Sequence, residues 1–274
     1  MSWLTFPGAV YGLKAPSNVR PESNSVHRGQ ADTIVAHPRD LKFSPWSYTP
    51  PKPERYRQVR SNGVVAYMVE DHDLPLINLS VLIRAGKYLE PAGKEGLAAL
   101  VGSQIRAGGI TRKTAEEFDE DVDFLAALIS SAVGDTQGNA SLNCLSKDVD
   151  RALALFFDML RDPGFQQDRL DLAKSQALQQ MERRNDSTAS IESREWGRLI
   201  WGTDHFTNKL STKASIESIT RDDLLAFHRQ YYQPGTFMLA ISGDFGTKDI
   251  ISRKDGQIHR IPLPDPFTMV YPKS

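Results

Sequence analysis

The chain is poor in cysteine, in long apolar runs and in net charge. Cys144 is its one cysteine, which excludes an intrachain disulfide and a cysteine-based zinc site, and its strand-like surroundings predict a buried side chain. With 33 basic against 34 acidic side chains the formal charge is −1, so no overall field attracts nucleic acid or anionic lipid. No segment reaches the roughly 18 apolar residues that span a bilayer, and the start lacks a secretory signal. We therefore expect a soluble chain without nucleic-acid or membrane partners, either cytoplasmic or exported.

Apolar residues make up 40% of the 274 residues, which is enough for a buried core. Eight of the 16 prolines lie in residues 1–57, a density that predicts an irregular leader and not a domain. The sequence thus predicts a Pro-rich leader over residues 1–57 and one folded domain over residues 58–246. Residues 247–274 are predicted to be a polar tail or the start of a truncated linker.

Strand and helix periodicities follow one another from residue 59 onward. Alternating apolar residues predict strands at residues 64–69, 76–83, 129–133, 139–145 and 236–242. Helical spacing predicts helices at residues 96–106, 114–127, 149–160, 167–184, 191–200 and 222–232. We expect the first two strands to pair antiparallel, and the third and fourth to form a hairpin. The fold class is therefore α+β, a mainly antiparallel sheet packed against a layer of helices.

Several short motifs then occur in an order that resembles the M16 metallopeptidases, the insulinase and mitochondrial-processing-peptidase-like family. IRAGKYLEPAGKEGLA (residues 83–98) is similar to the entry of that family into its first helix, and AGGITRKTAEE (107–117) is similar to the link that follows. DPGF (162–165), SITRDDL (218–224) and GDF (243–245) are similar to later landmarks. The resemblance covers about residues 56–245 and implies one half-domain of the family.

The family's zinc motif is degenerate in this sequence. In active members the first helix carries H-x-x-E-H, in which two histidines bind Zn²⁺ and the glutamate is the general base, and a later helix supplies a glutamate ligand. The resemblance puts Ala99, Gly102 and Ser103 at the first three of these positions. Gln180, 77 residues after Ser103, takes the place of the later glutamate, and Ala173 that of an acidic residue before it. We therefore expect no catalytic residue, no metal ligand and no bound zinc.

The resemblance also implies a place for substrate. In the family a peptide adds as a strand to the sheet edge beside the zinc, and main-chain pairing needs no particular side chain. The corresponding segment here consists of Ile129, Ser130, Ser131, Ala132 and Val133. The alternative is that this segment is a purely structural strand. A further expectation concerns Gly102, since a glycine in mid-helix suggests close packing by another element.

A metal site built from other residues has little support in the sequence. The chain has six histidines, and no two of them share one helical face. His72, between Asp71 and Asp73, is the one local cluster with metal-like character, and a solvated turn accounts for it.

Three interpretations of function follow. The first is an inactive M16-like subunit that binds peptide, pairs with an active zinc-dependent H-x-x-E-H subunit, or forms a homo-oligomer. The second is a zinc metalloendopeptidase with non-standard ligands, and the third is a free-standing peptide-binding or scaffold protein. The resemblance accounts for one half-domain, so the sequence also fits a fragment of a longer protein.

Overall fold

The computed structural model describes residues 37, 39, 48–50, 52–59, 64–247 and 250. The chain divides into two units, Met1–Tyr56 and Arg57–Ser274. The first unit is represented by a few residues, among them a 3-10 turn at Pro53–Arg55. The predicted leader and tail lie mostly outside the described residues, and the predicted boundaries stay predictions. The strands and α-helices that follow belong to the second unit.

A six-stranded mixed sheet organises the second unit. Its strands are β1 (Arg57–Val59), β2 (Val65–Glu70), β3 (Leu76–Ile83), β4 (Leu128–Val133), β5 (Gly138–Leu145) and β6 (Phe237–Gly243). In space they follow the order β1-β2-β6-β3-β5-β4. The β2–β6 pair is parallel and the other pairs are antiparallel, so the expected α+β class with a mainly antiparallel sheet is confirmed. The β4–β5 hairpin is confirmed as well.

The predicted direct pairing of β2 with β3 is wrong, because β6 lies between them. Val65 in β2 is opposite Met238, and Ile83 in β3 is opposite Phe237. Neighbouring strands lie about 5 Å apart, so the connection over residues 71–75 can reach across one intervening strand. The Asp71 N–H accordingly donates to the carbonyl of Gly243 at the end of β6 (2.8 Å). The sequence around β2 and β3 contains no local pattern that predicts the insertion of β6 between them.

Seven α-helices lie within the described residues. They are α1 (Leu97–Ala107), α2 (Ala115–Phe124), α3 (Val149–Arg161), α4 (Gln167–Glu182), α5 (Thr188–Trp201), α6 (Lys213–Ser218) and α7 (Arg221–Tyr231). The strand registers bring buried side chains to one face, where Leu79 lies between Leu142 and Ile241. Phe118 and Phe156 are among the largest fully buried side chains and belong to the helix layer. Among the described residues, no helix combines the length and apolarity needed to cross a membrane.

A local sequence signal marks the start of α2. The Thr114 side chain accepts from the Glu117 N–H, and the Glu117 carboxylate accepts from the Thr114 N–H, which confirms the capping box expected at this point. α2 ends before the predicted residue 127, since Ala126 has a φ of 47°. Cys144 is buried as expected, and desolvation raises the pKa of its thiol to about 11.

Candidate functional site

A cavity of about 440 Å³ lies between α1 and α4. It brings together Ala99, Ser103, Ala173 and Gln180, the positions that the resemblance assigned to zinc ligands and to the acidic residue before the last ligand. Ala99 and Ser103 are four residues apart on α1, so both project from the exposed side of that helix. Gln180 faces them from the last turns of α4. The spacing therefore identified residues that share one cavity.

The groups that line this cavity do not fit a zinc ion. Ala99 and Ala173 offer methyl groups, and the Ser103 hydroxyl donates to the Leu100 carbonyl (3.1 Å). The carboxamide of Gln180 is a poor zinc ligand beside imidazole or carboxylate. Among the described residues, no three His, Cys, Asp or Glu side chains are grouped so that they could hold a metal ion. We derive no metal-dependent step from this cavity, and the expectation that the chain holds no zinc stays a prediction.

Gly102 does not line the cavity but faces the backbone of β4. A Cβ placed on Gly102 would lie 2.7 Å from the Ala132 carbonyl carbon and nearer still to the Val133 nitrogen. Both neighbours are backbone atoms, which cannot rotate away. The expected close packing at this mid-helix glycine is confirmed, and the position to which the resemblance assigns the general base has no room for a side chain.

Strand β4 is the outer strand of the sheet, as strand addition would require. The Gly134 N–H donates to the Gln137 carbonyl (2.9 Å) at the hairpin turn. Antiparallel pairing alternates from there, so the backbone groups of Ile129, Ser131 and Val133 point away from β5. The side chains of Ser130 and Ala132 are exposed on the opposite face from the helices.

Two of these outward-facing residues are engaged by α1. The Ile129 carbonyl accepts a hydrogen bond from the Arg106 Nε (3.2 Å), and Val133 is the residue against which Gly102 packs. Arg106 is itself held by an ion pair with Asp119. Between these contacts lies Ser131, whose hydroxyl is buried beneath the helix layer. The candidate peptide-binding strand is therefore partly covered by α1.

Glu90 holds the N-terminus of α1. Its Oε1 accepts from the N–H groups of Gly96 (3.1 Å) and Ala98 (2.8 Å), which a glycine N-cap leaves without a side-chain partner. Burial raises the pKa of the Glu90 carboxyl, although the two backbone hydrogen bonds oppose the shift. Glu90 also lines a second cavity of about 330 Å³, which shares Ala99 and Arg184 with the first.

Glu90→Ala is expected to destabilise the domain by about 1–2 kcal/mol, because two N–H groups lose their acceptor. Glu90→Gln is the matched control, since its carbonyl oxygen can still accept both bonds.

A raised pKa in the folded state means that the Glu90 titration stabilises the fold below its ordinary value of 4.5, and that this contribution is lost as the pH rises through the raised value. The stability of Glu90→Gln relative to the unmodified chain should therefore increase above pH 4.5, as urea unfolding at several pH values would show. Equal losses in the two variants would contradict the capping role.

His72 is paired and not only solvated. Its Nδ1 lies 2.7 Å from the Asp244 Oδ1, and the other oxygen of Asp244 accepts from the Ser146 hydroxyl (3.0 Å). The hydrogen bond to Asp244 raises the pKa of His72, and the same bond lowers the pKa of Asp244. His72, Ser146 and Asp244 directly follow β2, β5 and β6, so their contacts join the C-terminal ends of these three strands.

Asp244→Asn is expected to return the pKa of His72 towards its ordinary value of 6.5. The raised pKa of His72 stabilises the fold below pH 6.5, and this contribution is lost as the pH rises through the raised value. The lowered pKa of Asp244 stabilises the fold above pH 3.8 and is lost as the pH falls through the lowered value. The contact between His72 and Asp244 therefore stabilises the fold most between pH 3.8 and pH 6.5. NMR titration of the His72 ring measures the effect, and an unchanged midpoint in the variant would show that the contact is absent in solution.

Three residues that shape the site escaped the sequence analysis. Arg106 ties α1 to β4, Glu90 caps α1, and Arg184 lines both cavities while donating to the Ser211 carbonyl (2.8 Å). Glu90 was visible as the acidic residue of the LEP segment just before α1. The partners of Arg106 and Arg184 are 23 and 27 residues away along the chain, and no local pattern indicates them.

Comparisons with known proteins give relatives of low sequence identity. No protein-family model matches the chain. An uncharacterized zinc protease of Rickettsia bellii is 21% identical over 188 residues, which cover 67% of this chain and 45% of that protein. A protein named non-peptidase homolog YmxG, from Helicobacter pylori, is 23% identical over 210 residues, which cover 76% of this chain and 48% of that protein. The chain therefore spans about half the length of the curated relatives it matches.

Solved structures show the same fold. The peptidase M16 inactive domain from Pseudomonas fluorescens matches with a TM-score of 0.71 and 23% identity, over 80% of this chain and 53% of that one. A protease from Helicobacter pylori matches with a TM-score of 0.69 and 18% identity, over 79% and 52%. The mixed sheet, the helix layer and the ordered landmarks are those of one M16 half-domain. The chain thus has the fold of an M16 half-domain, and its sequence contains no H-x-x-E-H motif.

Proposed function

We propose that this chain is a catalytically inactive M16-like half-unit that pairs with a separate subunit carrying H-x-x-E-H. One observation carries the proposal: Ala99, Ser103 and Gln180 meet in one cavity where zinc ligands would be needed, while Gly102 is packed against β4. The scaffold that positions a metal is kept, and its donor groups are absent. A half-unit of this kind can supply a chamber wall to a partner that supplies the chemistry.

The matched curated relatives and solved structures each have about twice the length that this chain covers. In the proposed pair, the second half-domain belongs to the H-x-x-E-H subunit. The first cavity is lined by apolar residues such as Leu100 and Met181, by neutral polar residues and by Arg184, a mixture that suits contact with a peptide or a protein surface.

Peptide binding along β4 is the second part of the proposal. Ser131 lies at the centre of the outward-facing backbone, but Ile129 and Val133 on either side of it are engaged by α1. A peptide strand could therefore pair over a short stretch, or over a longer one after α1 moves. Chemical-shift changes of β4 amides on addition of an extended peptide would test this, and shifts confined to other surfaces would contradict it.

The experiment for pairing compares the chain alone, an H-x-x-E-H chain from the same genome, and the two co-expressed. We expect no stoichiometric zinc and no peptidase activity from the chain alone, and higher activity from the pair than from the H-x-x-E-H chain by itself. A pair no more active than its catalytic member would refute the proposed role. Stoichiometric zinc in the chain alone, lost in His72→Ala or Gln180→Ala, would favour a peptidase with non-standard ligands. The absence of any H-x-x-E-H chain from the genome would favour a free-standing scaffold.

A further inference from the structure

Three cations from separate elements line the second cavity, the one of about 330 Å³. Lys87 begins a 3-10 turn after β3, Arg184 follows α4, and Arg194 lies on α5. All three residues are half-buried. Positive charges that converge in one cavity repel one another, and a bound anion would remove that repulsion. The second cavity is therefore a candidate anion-binding site.

Backbone carbonyls, and not carboxylates, hold these cations. The Lys87 Nζ donates to the Thr207 carbonyl (3.1 Å), and the Arg184 Nη2 donates to the Ser211 carbonyl (2.8 Å). The Arg194 Nη1 donates to the Arg184 carbonyl (3.0 Å). Among the described residues, no ion pair involves any of the three cations. Because an ammonium has three N–H donors and a guanidinium has five, each cation keeps donors for a ligand.

The other half-buried arginines of the described part of the chain have acidic partners. Arg106, Arg161 and Arg169 each form an ion pair with an aspartate or a glutamate. A charge that is partly removed from water is costly unless an opposite charge or hydrogen bonds replace that water. Arg184 and Arg194 lack such a counter-charge and lie together in one cavity, where a ligand can supply it.

Two carboxylates, those of Glu90 and Asp135, also line the cavity. Glu90 caps α1 through the two N–H groups described above, and the positive end of the helix dipole offsets its charge. Asp135 is exposed at the β4–β5 turn, where water and salt screen its charge. Three cations against two such carboxylates favour an anionic ligand over a cationic one.

The cavity adjoins the end of the candidate peptide-binding strand. Val133 and Gly134 line it, and Val133 lies two residues beyond Ser131, the centre of the outward-facing backbone of β4. Two strand residues span about 7 Å, so the next residues of a peptide paired with Ser131 would reach the cavity. Ligand cavities begin at about 300 Å³, so a volume of 330 Å³ suits a side chain or a chain end and not a folded partner.

We propose that Lys87, Arg184 and Arg194 form a subsite for a carboxylate of a bound peptide, supplied by an acidic side chain or by a free C-terminus. This inference rests on the second part of the proposed function, peptide binding along β4, and adds the chemical class of peptide that binds. A guanidinium binds a carboxylate through two parallel N–H···O bonds, and an ammonium adds a further donor and charge. Arg184 has the most unused donors for such a pair, since one hydrogen bond occupies it among the described residues.

The test measures binding of short extended peptides to the full chain by isothermal titration calorimetry. A parent peptide of about eight Thr, Val and Gln residues, blocked at both ends, carries no charge. One set of peptides places a single Glu at each position in turn, and a further peptide keeps the parent sequence with a free C-terminal carboxylate. We expect at least one acidic peptide to bind about tenfold more tightly than the parent. Within the Glu set, the gain should be confined to one end of the peptide, because the cavity lies at one end of the pairing stretch of β4.

Arg184→Gln should reduce the preference for the acidic peptide to about twofold or less. Glutamine keeps an N–H donor for the Ser211 carbonyl but has no charge. Lys147→Gln is the matched control, since Lys147 follows β5, lines neither cavity and has a 75% exposed side chain. It should leave the preference unchanged. A purely structural role of Arg184 would weaken the acidic and neutral peptides alike, and circular dichroism would verify that both variants are folded.

The outcomes separate this subsite from the proposed function. Equal affinities for acidic and neutral peptides, or a preference that survives Arg184→Gln, would overturn the subsite and leave peptide binding along β4 intact. If no peptide binds to the unmodified chain, peptide binding and the subsite both fail. Tighter binding of a peptide with Lys in place of Glu would assign the charge preference to Glu90 and Asp135, and would overturn the carboxylate assignment. A gain with Glu identifies a side chain as the ligand, and a gain with the free C-terminus identifies the chain end; both support the subsite.

Discussion

Gly102→Ala is expected to destabilise the domain by about 2–4 kcal/mol. In an ordinary helix interior the same change would gain about 1 kcal/mol, because alanine is the better helix former. Here the added methyl group would lie 2.7 Å from the Ala132 carbonyl carbon and against the Val133 nitrogen, so α1 must move away from β4. Urea unfolding followed by circular dichroism measures the change.

Gly235→Ala is the control for this prediction. Gly235 has no heavy atom within 4 Å of the Cβ that alanine would add, and it is not among the positive-φ glycines. The substitution should leave stability unchanged or raise it by about 0.4–1 kcal/mol through the unfolded state. If Gly102→Ala were as mild as Gly235→Ala, the close contact between α1 and β4 would not exist in solution, and the explanation for the missing general base would fail with it.

Elements with strong local signals were predictable from the sequence. The strand at residues 76–83 and the helix at 149–160 have apolar residues at regular spacing, and the structure places them at Leu76–Ile83 and Val149–Arg161. β1 has three residues and α6 has six, which is too short for a period to show. The Thr212–Ser215 capping box was the one local signal for α6.

Long-range pairing could not be predicted in the same way. β6 was recognised as a strand, but its position between β2 and β3 depends on pairs that are 154 (Ile83 and Phe237) to 173 (Val65 and Met238) residues apart along the chain. The alternating pattern of a strand predicts which of its faces is buried, but it does not predict which strand pairs with it. An antiparallel pair was therefore assumed for β2 and β3, where the fold has a parallel β2–β6 pair.

The candidate site was partly predictable because the resemblance assigned its positions and helical geometry keeps them together. A spacing of four residues puts Ala99 and Ser103 on one side of α1, and the order of landmarks puts Gln180 on the helix that faces them. The sequence predicted close packing at Gly102 but did not identify β4 as the element that packs against it. Whether the segment at residues 129–133 binds peptide stays a prediction.

The contact between α1 and β4 also bears on how far this chain is from an active enzyme. Residues that line the cavity can be replaced without moving the backbone, whereas position 102 cannot take a side chain unless α1 moves. Arg106 opposes that movement, since it joins the Ile129 carbonyl to Asp119 on α2. Metal binding and base catalysis should therefore be separable by substitution.

The triple variant Ala99→His, Ser103→His, Gln180→Glu is expected to bind one zinc ion per chain. Two imidazoles four residues apart on α1 and a carboxylate on α4 supply the donor types and the helical spacing of a three-ligand zinc site. Elemental analysis after gel filtration gives the stoichiometry, and zinc at 100 times its Kd should stabilise the variant by about 2.7 kcal/mol in urea unfolding. Ala99→His alone is the control and should retain no zinc.

Adding Gly102→Glu to this triple variant should not produce a peptidase. The carboxylate has no space between α1 and β4, so we expect a loss of several kcal/mol in stability, comparable with or larger than that of Gly102→Ala, and no peptide cleavage even with zinc bound. Cleavage of a fluorogenic peptide and urea unfolding measure the two effects. A quadruple variant that cleaved peptide while remaining as stable as the triple variant would mean that position 102 is open to the cavity. In that case the side chains at these four positions, and not the backbone of β4, would separate the chain from an H-x-x-E-H site.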